Sequence, residues 1–167
     1  GLSEKIFEKE VDDTIVHNIV DAPGEQFYEL LDYQYYIKQR ALYNLNSGNA
    51  QERMLIHMPT GTGKTKTTMH IITNYIEFTL HKKGLVIWVA HTIELLEQAY
   101  KTFCSVWGHL GNGEIAAYKL WGKHTIQDTS EELSGIAFCG LSKLMSLYDS
   151  NPALFERLKR DCRLVVF

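Results

Sequence analysis

Residues 58–65, Met-Pro-Thr-Gly-Thr-Gly-Lys-Thr, have the composition of a loop that binds phosphate. In such a loop successive backbone N–H groups curl around phosphate oxygens, and the start of the following helix adds partial positive charge. Gly61 and Gly63 permit the curl, with Thr60 and Thr62 between and beside them supplying further backbone donors. The Lys64 ammonium reaches the β- and γ-phosphates, and the Thr65 hydroxyl is suited to ligate Mg²⁺. The general pattern also asks for Gly at position 58, where this chain has Met58. The Gly-Thr-Gly-Lys-Thr core is intact, so these residues point to a nucleoside triphosphate.

A loop of this kind works only at the end of a strand and the start of a helix. The apolar run Met54-Leu55-Ile56 predicts a strand over 53–57, and the pattern after Gly63 predicts a helix to about Leu80. Further strands are expected at 85–90, 115–118, 135–139 and 164–167, with helices at about 92–106, 141–149 and 152–159. Strands alternating with helices imply a parallel α/β sheet covered on both faces. Ahead of the loop, a helix is expected over 32–45, with Asp32 as its cap and Tyr36, Ile37, Ala41 and Leu45 facing inward. Ile6, Phe7, Val11, Ile15 and Ile19 predict another amphipathic helix from Ser3 to about Val20, broken by Asp21-Ala22-Pro23-Gly24.

Composition narrows the partners. A chain of 167 residues, 45% hydrophobic, suits one well-buried domain, and a net charge of −3 offers no general attraction to polyanions. Any nucleic-acid contact must therefore be local. Cys104, Cys139 and Cys162 have no metal-ligand or disulfide-framework spacing, and a reducing cytoplasm is the expected compartment. No stretch has membrane-spanning length, so no membrane partner is expected. The basic group Arg157, Lys159, Arg160 and Arg163 reads as a solvated helix face.

Three other segments complement the loop. Gln34, in Leu31-Asp32-Tyr33-Gln34, has an amide able to donate to and accept from adenine together; Gln39 is a weaker rival. Thr92 lies where the strand ending at Ala90 turns into a helix, and Gly140, Ser142 and Lys143 occupy the same position after the strand at 135–139. In open α/β sheets ligands collect outside the carboxyl ends of strands, so both turns could receive a phosphodiester backbone.

With these motifs in order, the chain from about Leu31 onward resembles the first RecA-like domain of superfamily 2 helicases and translocases, near the branch of restriction-enzyme motor subunits and DEAD/DEAH-box proteins. The resemblance implies adenine recognition at Gln34, the Walker A loop at Lys64 and Thr65, and backbone contacts to nucleic acid around Thr92 and around Gly140 to Lys143. It divides the chain into a helical extension, 1–27, and a partial RecA-like domain, 28–167. The implied ligands are ATP, Mg²⁺ and DNA, with a second RecA-like domain and a nuclease or methyltransferase as partners; the residues themselves do not choose DNA over RNA. His91-Thr92-Ile93 departs from the family in lacking a fixed positive charge, and Gly140 stands where Thr is usual. Arg163-Leu164-Val165-Val166-Phe167 looks like the strand leading to the Walker B carboxylates, which the resemblance places just past Phe167, leaving the sheet incomplete at its C-terminal end. The expectation is an ATP-dependent helicase or translocase as the complete protein, with weak nucleotide binding and little turnover from these residues alone. A P-loop NTPase that remodels protein and a non-catalytic nucleotide- or nucleic-acid-binding scaffold are the alternatives.

Overall fold

The computed structural model describes residues 14–16, 29–47, 53–128 and 130–167. At its centre lie β2 (Leu85–Ala90) and β4 (Gly135–Gly140), parallel and in register from Leu85↔Gly135 to Ala90↔Gly140. Both are apolar along nearly their whole length because each face of the sheet is covered. β3 (Ile115–Leu120) joins the far side of β4, and β5 (Cys162–Val166) the far side of β2, both parallel. The strand order is β1-β3-β4-β2-β5.

Alternation along the strands sorts their side chains into two cores. Val86, Ile136, Phe138, Ile115 and Ala117 meet α2 (Lys64–Asn74) and α3 (Ile93–Leu110) through Met69, Ile72, Leu96, Phe103 and Trp107. Leu85, Ile87, Val89, Ala137, Cys139, Tyr118 and Leu120 meet α4 (Leu141–Ser150) and α5 (Pro152–Asp161) through Leu147, Leu154 and Leu158. Fully burying each large apolar side chain contributes about 1.5–3 kcal/mol, so this double layer is what fixes the strand ends around the site. α1 (Asp32–Leu45) lies outside α2, and its contacts with that helix carry its N-terminal turn to the phosphate loop.

Several expectations are corrected. Ile15–Val16 is a short strand, β1, antiparallel to β3, where a helix was expected; both residues are β-branched, and Ile15 pairs Ala116 while Val16 pairs Ile115. Thr14 before this strand is in a turn, and the remainder of the expected helix over 3–20, with the break at 21–24, lies outside the described residues. No strand forms over 53–57: an apolar run becomes a strand only with an edge to pair with, none pairs with it among the described residues, and Leu55 is 94% exposed. In α1 the cap position is Leu31, with Asp32 already helical, and Tyr36 faces solvent at 64% exposure while Gln34 takes the inner position. The helix after the loop widens into a π-helical turn at Tyr75–Thr79, closed by Leu80 N–H to Tyr75 C=O at 2.9 Å, before reaching β2.

The basic group near the chain end is solvent-exposed at Lys159, Arg160 and Arg163, as expected, and two of its members also hold the chain before β4. Arg157 donates to the carbonyls of Asp128 (2.8 Å) and Ser130 (2.6 Å), and Arg160 to that of Glu131. Asp161, buried, accepts from Leu133 N–H at 2.8 Å and from Arg160 Nε at 2.7 Å, and the Arg160 guanidinium holds its carboxyl below the usual range. These residues pin the segment before β4 to α5. No helix among the described residues is long and apolar enough to cross a membrane.

Candidate nucleotide and nucleic-acid site

Gly61 and Gly63 both adopt left-handed backbone, φ +79° and +78°, which side chains disfavour and glycine does not. Between them Thr62 folds the loop back on its own start: its Oγ1 donates to Pro59 C=O at 2.6 Å. Lys64 Nζ crosses the same turn, donating to the carbonyls of Met58 (3.1 Å) and Pro59 (3.0 Å). The ammonium is thus held across the mouth of the bend. α2 begins at Lys64 with Gly63 as its cap, and the first N–H bonded back into the helix is Thr67 to Gly63 C=O at 2.9 Å. The N–H groups of the first helical turn lack intrahelical acceptors by construction and carry the positive end of the helix dipole. Thr65, half-buried, sits in that turn.

The set fits an anionic, metal-bound ligand. A Cβ built on Gly61 meets nothing within 4 Å, so this side of the bend is open space, and the donors around it are amides, an ammonium and a hydroxyl.

Gln34 is brought to the loop and buried against it, 5% exposed. Its Nε2 donates to Thr62 C=O at 2.8 Å, its Oε1 accepts from Leu31 N–H at 2.9 Å, and a Cβ on Gly63 would lie 2.6 Å from Nε2. One hydrogen and one lone pair of the amide remain. Gln39, the rival reader, donates instead to Tyr35 Oη at 2.7 Å on the exposed side of α1. Two neighbours escaped the sequence reading. Tyr33 Oη donates to the same Thr62 carbonyl at 3.0 Å, and Lys66 Nζ donates to Glu29 C=O at 3.2 Å, tying α2 to the chain before α1. For Tyr33 the signal was available: it precedes Gln34 in a helix whose first turn must point at the loop.

The turns after β2 and β4 are neighbours because β2 and β4 pair to their last residues, Ala90 with Gly140. Thr92 caps α3, its Oγ1 accepting from Leu95 N–H at 3.3 Å, which leaves its hydroxyl hydrogen available. Ser142 is exposed in the first turn of α4. Gly140 is buried with ordinary backbone, φ −69°, beneath Trp121, Leu96 and Leu120, so the turn can meet a ligand through the α4 amides and not through an open glycine. Lys143 Nζ donates to Gly122 C=O at 3.2 Å, tethering the turn after β3 to α4. That turn, with exposed Lys123 and His124, extends the row of strand ends and carried no motif in the sequence.

Cys139, buried beside this row, has its thiol pushed up to about 12 by burial, and is chemically inert there.

The chain is similar to several known proteins. ATP-dependent DNA helicase MPH1 of Scheffersomyces stipitis is 35% identical over 81 residues, which is 48% of this chain and 7% of the relative. The protein of the same name from Debaryomyces hansenii is 32% identical over 89 residues, 53% of this chain and 7% of the relative. The chain therefore spans only a small part of the curated relatives it matches. Among solved structures, a nuclease-deletion mutant of the Type ISP restriction-modification enzyme LlaGI, determined with a DNA substrate mimic, superposes with a TM-score of 0.58 at 14% identity, covering 84% of this chain and 17% of that one. The chain accordingly shares the α/β fold of that structure, a parallel sheet with helices on both faces. Residues 27–163 match the family described as Type III restriction enzyme, res subunit, and the chain belongs to that family.

Proposed function

We propose that this chain is the ATP-binding part of an ATP-dependent DNA helicase or translocase motor of the restriction-enzyme kind. The observation that carries the reading is the bend at 58–65, with its two left-handed glycines and with Lys64 held across its mouth at the start of α2. Lys64 and the loop amides hold the triphosphate and stabilise charge that develops on the γ-phosphoryl group. Thr65 is the residue placed to ligate Mg²⁺, which when bound neutralises phosphate charge. Gln34 uses its remaining donor and acceptor to select adenine.

The paired ends of β2 and β4 supply the second half of the reading. Thr92, Ser142 and Lys143 lie along one row of strand ends, with Gly140 buried beneath the turn that carries the last two, and we assign that row to the phosphodiester backbone of DNA. Such contacts carry little sequence information, as a motor that must step along any sequence requires. The match beginning at residue 27 supports a division between an extension, 1–27, and the motor domain, 28–167, although β1 adds an edge to the domain's sheet. A second RecA-like domain, and a nuclease or methyltransferase, are the partners this reading assigns. Three free cysteines suit a cytoplasmic setting.

ATP turnover by the complete protein, measured with and without duplex DNA, tests the reading. Stimulation by DNA is expected; turnover indifferent to any polynucleotide would move the assignment to a P-loop NTPase acting on protein.

A further inference from the structure

Two side chains from the first turn of α1 end on one atom of the phosphate loop. Tyr33 Oη and Gln34 Nε2 donate to the Thr62 carbonyl oxygen at 3.0 and 2.8 Å. A carbonyl oxygen has two lone pairs and accommodates both. In a trans peptide plane the C=O and the following N–H point in opposite directions, and no described peptide is cis. An oxygen drawn toward α1 therefore turns the Gly63 N–H away from α1.

We propose that Tyr33 is a positioning residue of the phosphate loop: its hydroxyl, together with the Gln34 amide, fixes the Thr62–Gly63 peptide so that the Gly63 N–H is offered to a phosphate oxygen. The need for such an anchor follows from the glycines. Gly63 at φ +78° accepts either sign of φ at little cost, and the freedom that allows the bend also allows this peptide to turn over. A reversed peptide would present a carbonyl oxygen to an anion. Gln34 is shared between Thr62 and the N–H of Leu31, whereas the Tyr33 ring is 43% exposed and its hydroxyl goes to the loop. A half-exposed ring contributes little to the core, so its loop contact is separable from stability.

The proposal rests on the nucleotide reading above. Its test is Tyr33→Phe, which removes one oxygen and keeps the ring, with calorimetric titration of Mg-ADP and of inorganic tripolyphosphate, and with melting of the unliganded chain. Affinity for both ligands should fall by the same factor, about three- to tenfold, as the peptide released from that bond spends most of its time reversed and unfit to bind. The unliganded melting temperature should not move. Tripolyphosphate has no base, so a loss confined to Mg-ADP would make Tyr33 a base contact and overturn the proposal. Unchanged affinities, or a loss matched by a lower unliganded melting temperature, would overturn it as well. If wild type took up neither ligand, the nucleotide site itself would be gone; if wild type bound and the variant bound equally, only the role of Tyr33 would be.

Discussion

Alanine at Gly61 and alanine at Gly63 separate two costs that glycine-rich loops usually combine. Both glycines have left-handed backbone, and placing a Cβ there costs about 1–2 kcal/mol. At Gly61 the new Cβ meets nothing within 4 Å, so backbone strain is the whole cost. At Gly63 it would lie 2.6 Å from Gln34 Nε2, so the amide must withdraw and give up its 2.8 Å bond to Thr62. That lost bond adds about 1 kcal/mol, and more if the displaced amide, now 5% exposed, finds no new partner. At about 1.4 kcal/mol per factor of ten, Gly61→Ala should weaken Mg-ADP binding about five- to thirtyfold, and Gly63→Ala about a further fivefold or more. Calorimetric titration gives the affinities, and urea denaturation of the unliganded variants shows whether strain was retained as lost stability instead. The sum of the two free-energy changes is the quantity to compare. Equal sums for the two variants, or a larger one for Gly61→Ala, would refute the placement of Gln34 against Gly63.

Two further outcomes follow from the same region. Gln34→Ala should lower ATP and GTP affinity together through the loss of its Thr62 contact, and should in addition erode ATP-over-GTP preference by about 1–3 kcal/mol; identical losses for both nucleotides would confine Gln34 to holding the loop. His70, buried in α2, is lowered to about 4 by burial, with Lys66 and Lys38 adding repulsion. Above the ordinary value of 6.5 it is neutral whether folded or not; below it only the unfolded chain takes the proton readily, so stability should decline between pH 6.5 and pH 4 by up to about 3 kcal/mol. Urea midpoints across that range should fall less steeply for His70→Gln than for wild type, and parallel curves would contradict the assignment.

Much of the sheet was legible because its strands are apolar on both faces, as Leu85–Ala90 and Gly135–Gly140 are, and because each leads into a helix, the first of them capped by Thr92. Periodicity failed where neighbours decide the outcome. Ile15 fits a helical stripe, yet β3 offers it and Val16 an open edge; Met54-Leu55-Ile56 looks like a strand, yet nothing among the described residues pairs with it. The site divides in the same way. Residues 58–65 carry their chemistry in local backbone, which a motif captures. Lys66 and the carbonyl contacts of Arg157 and Arg160 depend on segments distant in sequence, for which the chain has no short-range sign, whereas Tyr33 was marked by its place before Gln34. Tyr36 misled for a related reason: an aromatic at inner-face spacing reads as core, but Gln34 faces the loop and so sets the rotation of α1.

Lys64 carries the phosphate-binding role of the loop most directly. Titrating Mg-ATP into the wild-type chain and into Lys64→Ala should show saturable binding in the first and binding at least tenfold weaker in the second, since the ammonium spans the bend that receives the phosphates. Equal affinity in the two proteins, or no uptake by either, would contradict it.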